Sequence, residues 1–192
     1  MSNFEKCITK TLRYEGVSSS SEGYVDHPND RGGATKYGIS CAFVKDTGDV
    51  DFFDMNGDLK IDKRDIQLLT FDKAVETYKK YFWDVFSLDE VEENEKAFLI
   101  FDAAVNHGVK GAAKLTQRAL NECGYNLVVD GICGRKTKQA LLVCPKDKFI
   151  KAFQDKRTSL YKAIVDKNPS QQVFLKGWLN RISWTTEDLA YV

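Results

Sequence analysis

Two glutamates near the front of the chain are each followed by glycine: Glu15-Gly16 and Glu22-Gly23. Behind them lies a stretch dense in Asp, Pro and Gly, with Asp26, Asp30 and, after the Gly32-Gly33 pair, Thr35. A glutamate at the end of a helix, facing a turn-rich stretch with further acids, suits glycoside hydrolysis. One carboxyl must stay protonated to donate to the leaving oxygen, and partial burial against aromatic side chains raises its pKa. Another carboxylate or a hydroxyl holds water or stabilises positive charge at the sugar. Glu15 follows Tyr14 at a helix terminus, a firm platform, whereas Glu22 follows four serines. A glutamate in such a place is more often a solvated surface group, and Asp and Asn beside Pro and Gly are more often turn formers. Types and spacing alone leave both roles open.

The elements that position these groups are mostly helical. Ser2 to Tyr14 reads as a helix with Phe4, Cys7, Ile8, Thr11 and Leu12 on one face, Ser2 and Glu5 as a capping box, and Gly16 as its stop. Clustered Gly, Pro, Asn, Asp and Ser over 17–40 mean turns, with short strands around Tyr24-Val25 and Tyr37–Ile39. Residues 46–65 read as irregular and acidic. Helical periodicity returns at 71–82, 93–107, 110–122, through Thr137 and Leu141, from Phe149 to Ile164, and from Pro169-Ser170 onward. The fold class is therefore mainly α, with a small β-hairpin region near residues 22–40.

A chain of 192 residues, 43% hydrophobic and 29% charged, has enough apolar material for a core. Its 28 basic residues balance 28 acidic ones, so nucleic acid is not the favoured partner. No apolar run approaches the roughly 20 residues that span a bilayer, and the charged N-terminus does not read as a signal peptide. The expectation is a chain made in the cytoplasm. Five cysteines at irregular spacing, with no CxxC pair, read as free thiols rather than a zinc site.

A second set of chemistry-bearing residues is Asp54, Asn56, Asp58, Lys60, Asp62 and Asp65. They fall at positions 1, 3, 5, 7, 9 and 12 of an EF-hand-like loop, Lys60 offering its backbone carbonyl. This resembles a dockerin-type calcium loop. Leu59 stands where Gly makes the sharp turn and must take a left-handed conformation, and Asp65 is one carbon shorter than the usual Glu. The plainer reading is an acidic insertion that caps the following helix. Asn106 and His107 end a helix, and a His there is more often a capping group than a base. Trp83, Trp178 and Trp184 read as packing residues, Trp178 first among them for the core. Lys176 and Arg181 are candidates for meeting anionic peptides, although exposed basic residues are usually only solvated.

The order of motifs resembles glycoside hydrolase family 108, bacterial and phage N-acetylmuramidases, some described as secretion activators. The resemblance rests on aromatic-Glu-Gly after a helix, Gly-Tyr-Val, Asp-x-Pro-x-Asp, Gly-Gly-Ala-Thr and Tyr-Gly-Ile. It continues in YKKYFWD at 78–84, FDAAVNHG at 101–108, VDGICGRKT at 129–137 and FLKGWLNRI at 174–182. The second half is similar to the companion segment named for peptidoglycan binding. The family's Glu-Gly-Gly-Tyr is interrupted here, so its acid corresponds to Glu15 with VSSSSE inserted, or to Glu22 with one Gly lost. Retention of aromatic-Glu-Gly at the helix end favours Glu15.

The resemblance implies a single lysozyme-like domain over 1–192, with a catalytic part over 1–92 and a helical peptidoglycan-binding-like part over 93–192. It implies a monomeric peptidoglycan hydrolase that cleaves the β-1,4 bond between N-acetylmuramic acid and N-acetylglucosamine. The acid would be Glu15, and Asp26, Asp30 or Thr35 would hold the water. Tyr24, Tyr37, Asn106 and His107 would contact substrate. No cofactor is required by the chemistry, and calcium is an option at 54–65. The wall would be reached through a holin, export or lysis. The alternatives are a lytic transglycosylase and a non-catalytic wall-binding or secretion-assisting protein.

Overall fold

The computed structural model describes residues 2–17, 23–26 and 32–192, and the chain is mainly α. The first helix is α1 (Asn3–Tyr14). Its capping box forms: the Ser2 N–H donates to Glu5 Oε2 at 2.7 Å and the Glu5 N–H to Ser2 Oγ at 3.3 Å. Phe4, Cys7, Ile8, Thr11 and Leu12 are all buried, as the periodicity requires. At the far end the Gly16 N–H donates to the Arg13 carbonyl and the Val17 N–H to the Leu12 carbonyl. With Gly16 left-handed (φ 68), this is a Schellman motif, and it makes Glu15 the C-cap residue.

The chain forms two compact units, one of residues 1–11 with Lys79–Val192 and one of Leu12–Tyr78. The second carries the sheet. Strands β1 (Thr35–Lys36) and β2 (Ile39–Ser40) pair antiparallel, and Val25 makes one further bridge to Thr35. The expected hairpin is thus realised as Thr35–Ser40, and the Tyr24-Val25 stretch supplies a bridge rather than a strand. Tyr37 (φ 51) and Gly38 (φ 77) form its two-residue turn. Positive φ at both is the type I′ geometry that matches strand twist.

Four short helices follow: α2 (Cys41–Thr47), α3 (Val50–Phe53), α4 (Lys63–Leu68) and α5 (Phe71–Tyr78). The stretch 46–65, expected to be irregular, holds the end of α2, all of α3 and the start of α4. α2, α3 and α4 are too short to show a repeating apolar face, but side-chain caps mark the starts of α2 and α4. Ser40 accepts from the Phe43 N–H at 3.2 Å, and Asp62 forms a capping box with Asp65. Ile39, Val44, Phe53, Ile66, Leu69 and Tyr78 make the core of this unit.

The larger unit is built on α6 (Asn94–Glu122), in which every residue from Lys96 to Ala104 is buried. A helix buried all round is a central core helix. Gly108 (φ 73, ψ 159) kinks it, which accounts for the two helices expected on either side. Phe4, Trp83 and Phe101 meet edge to face, with centroids 5.4 to 5.8 Å apart. Trp83 is therefore the core tryptophan. Trp178 is half-buried, stacked between Tyr161 and Phe174, and Trp184 is exposed.

Three helices complete the unit: α7 (Arg135–Val143), α8 (Lys146–Lys167) and α9 (Gln172–Asp188). Lys96 is fully buried yet fully used. Its ammonium donates to the Leu141 and Cys144 carbonyls at 2.9 Å each and pairs with Glu93 at 3.0 Å. It caps the C-terminus of α7, where a cation also meets the negative end of the helix dipole.

Candidate functional site

Glu15 owes its place to the end of α1. As C-cap of a Schellman motif it stands on backbone fixed by two hydrogen bonds. Val17, two residues on, packs toward the hairpin turn, its Cγ2 3.9 Å from where a Cβ on Gly38 would be. Tyr78 anchors that turn by donating from its hydroxyl to the Tyr37 carbonyl at 3.0 Å. Glu15 and the hairpin are therefore held together within the smaller unit. Glu15 is exposed, which departs from the half-buried acid that the chemistry suggested.

Asp26 and Thr35 are brought close by the Val25–Thr35 bridge, whose reciprocal N–H to carbonyl bonds are 2.9 and 2.8 Å. Side chains alternate across a strand, so Val25 and Thr35 share a face and Asp26 takes the other. There Asp26 pairs with Lys63 of α4 at 3.3 Å, and Lys36, also on that side, donates to the Gln67 carbonyl at 2.7 Å. Thr35 is half-buried, with its hydroxyl 3.4 Å from the Gly33 carbonyl. Tyr24 and Tyr37 are half-buried, and Tyr37 meets Phe71 edge to face. Glu22 and Asp30 lie outside the described residues. Lys63 was not singled out by sequence; the basic pair Lys63-Arg64 beside the acidic run was the available signal.

The 54–65 loop adopts the backbone of an EF-hand-like turn. Asp54 accepts from the N–H groups of Gly57, Asp58 and Leu59 at 2.7, 3.2 and 2.8 Å. Burial works against its ionisation, but these N–H bonds hold it below the usual carboxylate range. Leu59 takes the left-handed conformation (φ 59). Asp65 is buried and accepts from the Met55 and Asp62 N–H groups at 2.9 and 2.7 Å. The Arg64 guanidinium reaches Asp58 at 2.6 Å and Asp62 at 2.8 Å, and its hydrogen bonds bring the Asp62 carboxyl down to about 2. The carboxylates thus face backbone N–H groups and Arg64 instead of one centre. No group of three or more His, Cys, Asp or Glu among the described residues is arranged to hold a metal ion.

In the larger unit, Asn106 and His107 sit just before the Gly108 kink. Asn106 Oδ1 accepts from the Tyr161 hydroxyl at 2.8 Å, and His107 Nε2 faces Arg157 Nε at 3.3 Å. Their polar atoms are engaged by α8. Arg181, expected at the surface, is instead buried against Asp102, with Nη2 to Oδ1 at 2.8 Å, so it is not free to meet a stem peptide; Lys176 is exposed. The five cysteines are free thiols, three of them buried.

A mainly α chain with a short hairpin after its first helix, and a carboxyl at that helix end, has the layout of a lysozyme-like glycoside hydrolase. Residues 8–108 match the family described as Glycosyl hydrolase 108, and residues 111–183 match the one described as Predicted Peptidoglycan domain. The chain belongs to the glycosyl hydrolase 108 family. The structure solved as "Structure of Brucella abortus SagA" is similar over 98% of this chain and 94% of that one, at 28% identity and a TM-score of 0.71. No curated protein matches the chain.

Proposed function

We propose that the protein is an N-acetylmuramidase that hydrolyses the β-1,4 bond between N-acetylmuramic acid and N-acetylglucosamine in peptidoglycan. The observation that carries this reading is Glu15, fixed as the C-cap of α1 beside the hairpin turn and inside the family match. Its carboxyl gives a proton to the glycosidic oxygen as the bond to the anomeric carbon breaks. Water adds to that carbon and gives up its proton to a carboxylate. Because Glu15 is exposed, the bound glycan must cover it to exclude bulk water from the reacting bond. Asp26 and Thr35 occupy opposite faces of the bridge, so they do not share one water: Asp26 or Asp30 takes the water's proton, or Thr35 holds the water and the Glu15 carboxylate, having given up its own proton, takes it. The cell wall is the place of action, reached by a holin, export or lysis.

The test compares wild type, Glu15→Gln and Glu22→Gln on purified walls, with products read by mass spectrometry. Loss of at least about 10³-fold in rate is expected for Glu15→Gln alone, with reducing muramic-acid ends released by the other two proteins. Anhydro-muramyl products would show a lytic transglycosylase instead. Loss confined to Glu22→Gln would move the acid to residue 22.

A further inference from the structure

The loop before α7 and the first turn of that helix form a groove. A pocket of about 420 Å³ is lined by Val128, Ile132, Arg135 and Lys136, among others. A second, of about 500 Å³, shares Asn126, Leu127 and Lys136 with it and continues along Tyr125 and Val143. Val128, Ile132 and Val143 are 77%, 66% and 70% exposed. Large apolar side chains left exposed together in a concavity mark a binding surface.

The groove is also basic. Arg135 and Lys136 line it, and Lys110 and Lys114 lie against Gly131 at its edge, 2.8 and 3.2 Å from where a Cβ would be. Among the described residues none of these four cations has an ion-pair partner, although the chain as a whole is neutral. The acid that lines the first pocket, Asp130, is already engaged, accepting from Gln117 Nε2 at 2.7 Å and the Ile132 N–H at 2.8 Å. The N-cap of α7 is Gly134, which offers no side chain to the first-turn amides.

The groove is rigid at both ends. Buried Gln117 ties down the loop by donating to Asp130 and the Ile132 carbonyl and accepting from the Gly131 N–H, while Lys96 caps the far end of α7. A preformed site avoids the entropy of ordering on binding.

We propose that this groove, which shares no residue with the Glu15 site, binds the peptide-bearing glycan of peptidoglycan. Carboxylates of the stem peptide meet Arg135, Lys136, Lys110 and Lys114, and the sugar lies on Val128 and Ile132. This rests on the peptidoglycan reading above. Positive charge with no internal partner complements a ligand that carries carboxylates, and the apolar floor suits the carbon face of a sugar.

The experiment titrates the full chain with N-acetylglucosaminyl-N-acetylmuramyl-tripeptide, and with the same disaccharide without peptide. Neither contains the bond a muramidase cuts. Arg135→Glu/Lys136→Glu is compared with wild type at 50 and 300 mM salt, with melting curves as a folding control and wall hydrolysis run in parallel. Affinity for the tripeptide form should fall at least tenfold in the variant, and in wild type at high salt, while wall hydrolysis by the variant persists. An unchanged affinity overturns the proposal, as does an equal loss for the peptide-free disaccharide, which keeps the lactyl carboxylate and so removes stem-peptide recognition. Absence of wall hydrolysis by wild type, with tripeptide binding intact, would overturn the muramidase reading and leave the groove standing.

Discussion

Arg157 and Asp102 are both fully buried, with Nη1 2.7 Å from Oδ2, a contact of charge without the alignment of a hydrogen bond. Asp102 serves Arg181 as well, at 2.8 Å, so one carboxylate balances two guanidinium groups from α8 and α9. Replacing such a group by a neutral one leaves the partner charges buried and uncompensated. Asp102→Ala is expected to cost about 3–5 kcal/mol in urea unfolding. A loss below about 1 kcal/mol would mean that the arginines find water or other acceptors, and that this network is not what joins α6 to α8 and α9.

The same network makes stability depend on pH through His107. Burial, with the Arg157 charge next in importance, pushes its pKa from 6.5 down to about 4; Asp102 opposes and Arg181 adds to the fall. A folded-state value below the unfolded one means the unfolded chain takes up the proton first. Stability is therefore full above pH 6.5 and declines as pH falls toward 4, by about 2–4 kcal/mol in total from this group. Denaturant unfolding at pH 7 and 4.5 should show a steeper decline for wild type than for His107→Gln. Parallel declines would remove His107 as the cause.

In the 54–65 loop a calcium ion would compete with Arg64 for Asp58 and Asp62. The oxygen donors suit calcium in kind, and the backbone already has the required turn at Leu59. With Arg64 in place the carboxylates do not converge, so we expect millimolar calcium to leave the melting temperature of wild type unchanged and to raise that of Arg64→Ala, where the competing cation is gone. Thermal melts with and without chelator measure this. No change in either protein would leave the loop as the capped, acidic insertion that its hydrogen bonds already describe.

What the sequence disclosed and what it withheld divide along physical lines. The capping box at Ser2 and Glu5, the Gly16 stop and the break near Gly108 are local, and each was legible from residue type and spacing. The burial of Arg181 was not, because its partner Asp102 lies 79 positions away and a basic residue on a helix looks the same whether solvated or paired. Trp178 looked like the core tryptophan on spacing, but the ring that fills the core is Trp83, set by Phe4 and Phe101 from distant segments. At the candidate site, Glu15 at a helix end was readable. That Asp26 and Thr35 face opposite ways was not, since it depends on a single bridge to Val25.

Gly38 ties the hairpin to the rest of the smaller unit, and it does so twice. Its φ of 77 belongs to the left-handed region, where a side chain is strained, and a Cβ added there would collide with the Tyr78 hydroxyl. Gly38→Ala should therefore destabilise by at least about 2 kcal/mol, more than the backbone conformation alone costs. Tyr78→Phe removes the colliding oxygen together with its bond to the Tyr37 carbonyl, at about 1 kcal/mol on its own. If the collision matters, the double variant will be more stable than the sum of the two single losses predicts, by at least about 0.5 kcal/mol. The same pair tests the link to catalysis. The turn packs against Val17, two residues from Glu15, so Gly38→Ala should lower the rate of wall hydrolysis even where the protein remains folded, and Tyr78→Phe should restore part of it. Strict additivity in stability, with a rate unchanged in Gly38→Ala, would detach the hairpin turn from the position of Glu15.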